Sequence, residues 1–380
     1  MKILHVINTL SAGGAELHLL TLCRYQKRQG IDLAVACFRE KVTGSRSLRS
    51  DFEKEGIEVV NLQSDGRWDL RFIARLIRLL KLERPDILHT HLPRADFAGA
   101  FARLFCSDIV WVCSLHNIYN SSWSGRWTLP LLNYIWRRPD RVVAISYAVR
   151  DWLVNNGRIP IDKISVIHYG IEHQRFSRTT NALDNGCALP GREIVGSIGR
   201  LEPRKGHDSL IKAMAIVCKE LPHASLLIAG HDPWAYGPTL QALINQSGLH
   251  GRVRLVGFHN DVASFLADIN VFAFASRSEG FGQVLIEAMA AGKPVVASRI
   301  PPLTEIVTED ETGLLADPDD PQAFANAILW LLTHPEQANQ IGKRGQERVY
   351  DYFSAPRMGD EISSIYHQLI GEHHVPRTLA

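Results

Sequence analysis

The chain has 380 residues, more than one hydrophobic core usually serves, so two domains are expected. Hydrophobic residues make up 46% and charged residues 22%, with a formal net charge of +2, a balance that argues against a general nucleic-acid binder. The six cysteines are scattered without a CxxC pair and no apolar run reaches membrane-span length, so reduced thiols and a cytoplasmic location are expected.

The opening "MKILHVINTL" carries His5 and Asn8, which fit a buried first strand better than a leader peptide. "SAGGAELHLLTLCRYQKRQG" predicts a loop entering a helix that ends at Gly30, and "DLAVACF" a second strand. A helix around 47–55 leads to the strand "IEVVNL"; "DLRFIARLIRLLKLERP" has apolar positions at helical spacing, and "DILHTH" returns to strand. His89 and His91 in that strand could suggest a metal, but the reading adopted places them on opposite strand faces, so no metal is expected. "NSSWSGRWTLPLLNYIWRRPDR", residues 120–141, mixes aromatic residues with arginines, and two readings stay open. One is a core helix with a basic end; the other is a face for a membrane surface or a lipid-linked acceptor.

The polar, turn-rich "RTTNALDNGCALPG" reads as a hinge, giving domains over 1–180 and 181–354, with a last helix over about 355–380 crossing back to the first. Beyond it the alternation restarts with "IVGSIG", "HDSLIKAMAIVCKEL", "ASLLIAG", "TLQALINQSGL", "VRLVG", "VFAFAS", "GQVLIEAMAAG" and "PVVAS". Short apolar strands alternating with amphipathic helices predict two doubly wound α/β domains of the Rossmann-like type, with ligands bound at the carboxyl ends of the strands and in the cleft between domains.

Within "SRSEGFGQVLIEAMAAGKPVVAS", Glu279 precedes a helix that starts near Gln283, and Glu287 lies about one turn inside it. At 1.5 Å per residue the carboxylates stand on the order of 7–10 Å apart, flanking a helix N-terminus that favours an anion. Acceptor, anion site, acceptor matches a nucleotide sugar: sugar hydroxyls, diphosphate, ribose diol. The alternative is that both glutamates are solvated helix-start charges. "GSIGRLEPRKGHDSLIKA" adds Gly196 and Gly199 at a strand end with Arg200 and Lys205 close by, cations suited to a diphosphate. "DPDD" at 317–320 is expected to be a surface turn rather than a metal motif.

These segments carry a resemblance. "GRLEPRKG", "LLIAG", "VRLVGFHNDV", "SEGFGQVLIEAMAAGKPVVAS" and "EIVTEDETGLLADPDD" resemble the retaining GT-B glycosyltransferases of family 4 through most of the second half. "GGAE", "DILHTH", "SLHN", "VVAISYAVRDWL" and "VIHYGIE" are similar to the same family in the first. The resemblance implies two Rossmann-like domains with the donor held mainly by the second, Arg200 and Lys205 on its diphosphate, Glu279 on the sugar and Glu287 on the ribose. Phe281 and Gly282 would offer backbone N–H groups, Gly13 and Gly14 would admit the diphosphate to the first helix, and backbone around Phe258 would meet the base. His116 falls where the family has a histidine near the reacting sugar. The family pattern Pro-Asn-Gly-Ile-Asp is here His168-Tyr169-Gly170-Ile171-Glu172, so contacts there are not carried over.

The implied activity is metal-independent transfer of a hexosyl or N-acetylhexosaminyl group, with retention, from a nucleoside-diphosphate sugar, UDP preferred and no further cofactor. The acceptor would be a glycan or a lipid carrier in envelope polysaccharide or glycolipid synthesis, at the inner face of the membrane. A nucleotide-sugar epimerase and an inactive sugar-nucleotide-binding subunit are the alternatives.

Overall fold

The computed structural model describes residues 1–40, 46–64, 69–119, 129–176, 193–259 and 261–374. The expected hinge at 178–191 lies outside the described residues, as do Trp123, Trp127, Cys187, Asn260 and the end of the last helix beyond 374. Two compact units form: Met1–Gly170 with the chain from Ala355 onward, and Ile171–Ser354. The change expected at 180/181 therefore falls at Gly170/Ile171. The Ile171 N–H donates to the Phe353 carbonyl at 2.9 Å and the His173 ring lies 4.3 Å from that of Tyr350, which ties this stretch to the second unit.

The first unit is a seven-stranded sheet in the order β3-β2-β1-β4-β5-β6-β7. Its strands are β1 (Lys2–Thr9), β2 (Asp32–Arg39), β3 (Glu58–Asn61), β4 (Ile87–His91), β5 (Val110–Leu115), β6 (Arg141–Ala144) and β7 (Ile164–Val166). Every pairing is parallel, as the short apolar runs require when helices cover both faces. The order reverses between β1 and β4, the place where such sheets bind ligands.

The helix Gly14–Arg28 follows β1, with Glu16 in its first turn and Lys27 and Arg28 in its last, charges that oppose the helix dipole. It meets the C-terminal helix Ala355–His374, which sinks Met358, Ile362, Tyr366 and Leu369 into the core with Leu19, Leu22 and Cys23. Each fully buried Leu, Ile or Met side chain contributes about 1.5–3 kcal/mol, so this helix belongs energetically to the first unit.

The second unit is a six-stranded sheet, order β10-β9-β8-β11-β12-β13, again parallel throughout. Its strands are β8 (Ile194–Ile198), β9 (Ser225–Ala229), β10 (Val253–Gly257), β11 (Val271–Phe274), β12 (Val295–Ser298) and β13 (Leu314–Ala316). Here the order reverses between β8 and β11. The loops leaving those two strands carry "GRLEPRKG" and "SRSEGFG". Two chain segments far apart in sequence are thus delivered side by side.

Residues 317–320 form a turn. Asp320 caps the helix Pro321–Thr333 by accepting from the N–H groups of Gln322 and Ala323, and Asp319 pairs with Arg277 at 2.7 Å. The aromatic segment divides: Trp136 is fully buried, its indole donating to Asp96 at 2.9 Å, while Leu131 and Tyr134 are exposed and the Arg138 guanidinium lies over the Tyr134 ring. Among the described residues no helix is long and apolar enough to cross a membrane.

Candidate active site

In the second unit the backbone at the end of β8 is packed against its neighbours without a gap. A Cβ at Gly230, just after β9, would collide with the carbonyl oxygen of Gly199. Gly206, left-handed at φ +65, leaves no room for a Cβ against the carbonyl oxygen of Ala275 after β11. Gly230 thus lets the chain after β9 lie directly on the start of the loop 199–206, and Gly206 lets the end of that loop lie directly on the loop 275–282. The Arg277 N–H then donates to the Arg204 carbonyl at 2.8 Å, and Arg204 Nη1 to the Ser278 carbonyl at 3.2 Å.

This packing brings Lys205 Nζ to 2.5 Å from Glu279 Oε1, with both side chains nearly buried. Burial alone would raise the Glu279 carboxyl. The Lys205 ammonium, its hydrogen bond, a bond from Ser276 and the charge of Arg204 together outweigh it and hold the group below its ordinary value. Arg200 and Arg204 both pair with Glu202, at 3.2 and 3.1 Å, and the Arg200 guanidinium also lies 5.1 Å from the Trp234 ring centre. Arg200 remains about half exposed.

Gly282, at φ +114, is the N-cap of the helix Gln283–Ala290. Its missing side chain accommodates Leu303 Cδ2, which a Cβ would approach to 2.7 Å. Phe281 turns its ring inward, 5.8 Å from that of Phe353, so only its backbone is offered to a ligand. Glu287 sits one turn into the helix and is nearly buried, accepting from Gln283 Nε2 at 3.1 Å. Burial pushes its carboxyl up to about 7, against the lowering effect of that bond and of the Arg175 charge. Neither glutamate is a solvated helix-start charge. Phe258 follows β10, two strands from β8, and is half exposed.

Gly13, Gly14 and His116 belong to the first unit. Gly13 is the extended N-cap of the first helix, and a Cβ there would stand 2.7 Å from the Glu16 carboxylate; Gly14 is exposed at the helix start. His116 follows β5 and is nearly buried. Its Nδ1 lies 2.6 Å from the Tyr169 hydroxyl and its Nε2 3.0 Å from His91 Nδ1. His91 Nε2 is 3.1 Å from His5 Nδ1, and His5 Nε2 is 3.2 Å from Gln26 Oε1.

His89 and His91 do not point apart. Residues two apart on a strand share a face, and their rings lie 4.2 Å apart. Among the described residues His5, His89 and His91 form a group whose ligand atoms lie within 4.8 Å of one another. Each of their ring nitrogens already has a hydrogen-bond partner, those of His89 being Tyr366 and Ser114. A cation there would have to displace these bonds.

The family model for glycosyl transferases group 1 matches residues 187–348, and that for glycosyltransferase family 4 matches residues 12–175. The chain is a family 4 glycosyltransferase of the GT-B fold. It is 25% identical to the capsular polysaccharide biosynthesis glycosyltransferase CapM of Staphylococcus aureus, over 80% of this chain and 82% of that one. It is 26% identical to the N-acetyl-alpha-D-glucosaminyl L-malate synthase of Bacillus anthracis, over 80% of each. Among solved structures, Anabaena HepE in complex with UDP and glucose superposes with a TM-score of 0.86 at 24% identity, covering 97% of this chain and all of that one. Sucrose-phosphate synthase from Thermosynechococcus elongatus superposes at 0.84, also 24% identical, covering 98% and 100%.

In this glycosyltransferase the sequence-predicted Gly199, Arg200, Lys205, Glu279, Phe281, Gly282 and Glu287 all lie on the loops and helix start beside β8 and β11. Sequence reasoning passed over Glu202 and Arg204, although both stand inside the quoted "GRLEPRKG". Alternating sign at 200, 202 and 204 was the available signal. It also passed over His91 and Tyr169 as hydrogen-bond partners of His116, and His5 as the partner of His91, for which the sequence holds no signal, since their separations along the chain are long.

Proposed function

We propose that the chain transfers a hexosyl or N-acetylhexosaminyl group, with retention of configuration, from a nucleoside-diphosphate sugar held by the second unit. The observation that carries this reading is the Lys205–Glu279 contact beside a glycine-capped helix N-terminus: a cation and N–H groups for a diphosphate, and a buried ionised acceptor for sugar hydroxyls. Arg200 and Lys205 take the leaving diphosphate, Phe281 and Gly282 give it backbone N–H groups, and Glu287 accepts from the ribose diol. Gly199 keeps the strand end open to the phosphates. His116 acts at the sugar, and Gly13 and Gly14 at the diphosphate.

Charge building on the diphosphate as the anomeric bond breaks is stabilised by these cations without a metal. The acceptor hydroxyl attacks from the leaving-group face, and the departing phosphate oxygen takes its proton. UDP is the preferred carrier, in keeping with the UDP bound by HepE. Relatives that serve capsule and lipopolysaccharide synthesis support a glycan or lipid-linked acceptor. Leu131, Tyr134 and Arg138 of segment 120–141 support contact with the membrane face carrying it.

Thermal stabilisation by UDP, GDP and their sugars, with chelator present, tests the donor reading in wild type, Lys205→Ala and Glu287→Ala. One nucleoside diphosphate should stabilise the wild type and lose effect in both variants. No stabilisation by any of them overturns the donor assignment, and conversion of the nucleotide sugar without acceptor would favour the epimerase.

A further inference from the structure

Both ring nitrogens of His116 are engaged within the first unit, so the state of this residue is set by a chain reaching into the sheet. The links run Gln26 Oε1, His5 Nε2; His5 Nδ1, His91 Nε2; His91 Nδ1, His116 Nε2; His116 Nδ1, Tyr169 hydroxyl, at 3.2, 3.1, 3.0 and 2.6 Å. Each histidine in it is buried. Burial holds His5 down at about 4 and His116 at about 3, and His91 well below its ordinary value, so each ring carries one proton at neutral pH.

One proton per ring and one per link leave two possible orders, decided at the ends. The Gln26 carboxamide oxygen only accepts, so His5 donates from Nε2 and its Nδ1 must accept. His91 therefore donates from Nε2 to His5, and His116 from Nε2 to His91. His116 Nδ1 is left as an acceptor, and the Tyr169 hydroxyl donates to it. His18 stacks on the Tyr169 ring at 4.1 Å and holds it in place. The reverse order would require the Gln26 amide to turn over.

We propose that Gln26–His5–His91–His116–Tyr169 is a proton-ordered relay that fixes the tautomer of His116, with His5 and His91 as positioning residues and Tyr169 as the cap on its Nδ1. It rests on the reading that His116 acts at the sugar. Tyr169 stands where the family pattern has asparagine, so this chain presents a phenol hydroxyl, oriented by the relay, beside His116. His91 is the link to break, because it must donate and accept at once. A glutamine side chain also does both, whereas phenylalanine fills the space and does neither.

The test uses the full chain with ¹⁵N-labelled histidine and reads the ring protonation site of His116 in wild type, His91→Phe and His91→Gln. UDP-glucose, UDP-N-acetylglucosamine and GDP-mannose serve as donor probes for turnover. Wild type should carry its proton on Nε2. His91→Phe should move it to Nδ1, donating to Tyr169, and lower kcat about tenfold to a hundredfold with little change in KM. His91→Gln should restore the Nε2 proton and most of kcat.

A wild-type His116 protonated on Nδ1, or an unchanged site in folded His91→Phe, overturns the relay. A shifted proton with unchanged kcat overturns the positioning role. If His91→Phe does not fold, the wild-type spectrum still decides the order, and Tyr169→Phe, which removes the donor to His116 Nδ1, takes over the kinetic arm, with a lowered kcat expected and an unchanged kcat overturning the positioning role. His116→Ala separates the two claims: full turnover there removes His116 from the reaction, while the spectrum independently decides the relay.

Discussion

On β1, on β4 and just after β5 the first unit gathers neutral imidazoles in an uninterrupted chain of hydrogen bonds, whereas beside β8 and β11 the second unit gathers full charges held in pairs, nearly buried at Lys205 and Glu279 and half exposed at Arg200. Burying a neutral, fully bonded group costs little, so His5 and His91 can be withdrawn from water completely. Burying an ion costs several kcal/mol even when it is paired, so Arg200 keeps part of its guanidinium in solvent and Lys205 keeps a carboxylate. Neutral groups orient; cations bind an anion. The two sheets share the same order over their first six strands and differ in the kind of group gathered at their carboxyl ends.

The sharpest way to break this contrast is Lys205→Ala, expected to lower turnover about 10²–10³-fold by removing a cation that stabilises the leaving diphosphate. It also strands a buried carboxylate, which costs about 3–5 kcal/mol. Adding Glu279→Ala should return much of the stability and none of the turnover; recovered turnover would show that the cation is structural.

The acid response of the first unit should be the next largest effect. His5 has a folded value near 4 against 6.5 unfolded, so the unfolded chain binds more protons between them. Its contribution is present above pH 6.5 and lost as pH falls toward 4, about 3 kcal/mol at 1.36 kcal/mol per unit. Urea unfolding at pH 7 and pH 4.5 should show this loss reduced in His5→Gln, and an equal loss would contradict burial of a neutral ring.

Glu287 runs in the opposite direction. Its folded value near 7 lies above the ordinary 4.5, so stability is full below pH 4.5 and lost as pH rises through 7. Glu287→Gln should therefore stabilise the ligand-free protein by about 2–3 kcal/mol at pH 8 and by almost nothing at pH 4, while weakening nucleoside diphosphate binding. A gain that is the same at both pH values would assign it to packing instead of charge. Smallest of all, Asp320→Ala should cost about 1 kcal/mol through the lost helix cap and leave turnover untouched. A loss of turnover there would reopen 317–320 as a functional segment.

Much of the candidate site in the second unit was legible because its signals are local. Glu279, Gly282 and Glu287 lie within one loop and helix start, where the spacing of a helix fixes what shares a face, and glycines mark where backbone must bend or touch. The alternation of apolar strands and amphipathic helices likewise determined two parallel sheets from periodicity alone. What the tertiary structure decided depends on sheet order and strand face. His5, His91, His116 and Tyr169 are far apart in sequence and meet because β1, β4 and β5 are neighbours and because side chains repeat every second residue along a strand. The opposite-face placement of His89 and His91 ignored that period. Even Lys205 and Glu279, both visible in the sequence, became a pair only through the parallel contact of β8 with β11, which sets loops from distant segments at the same end of the sheet.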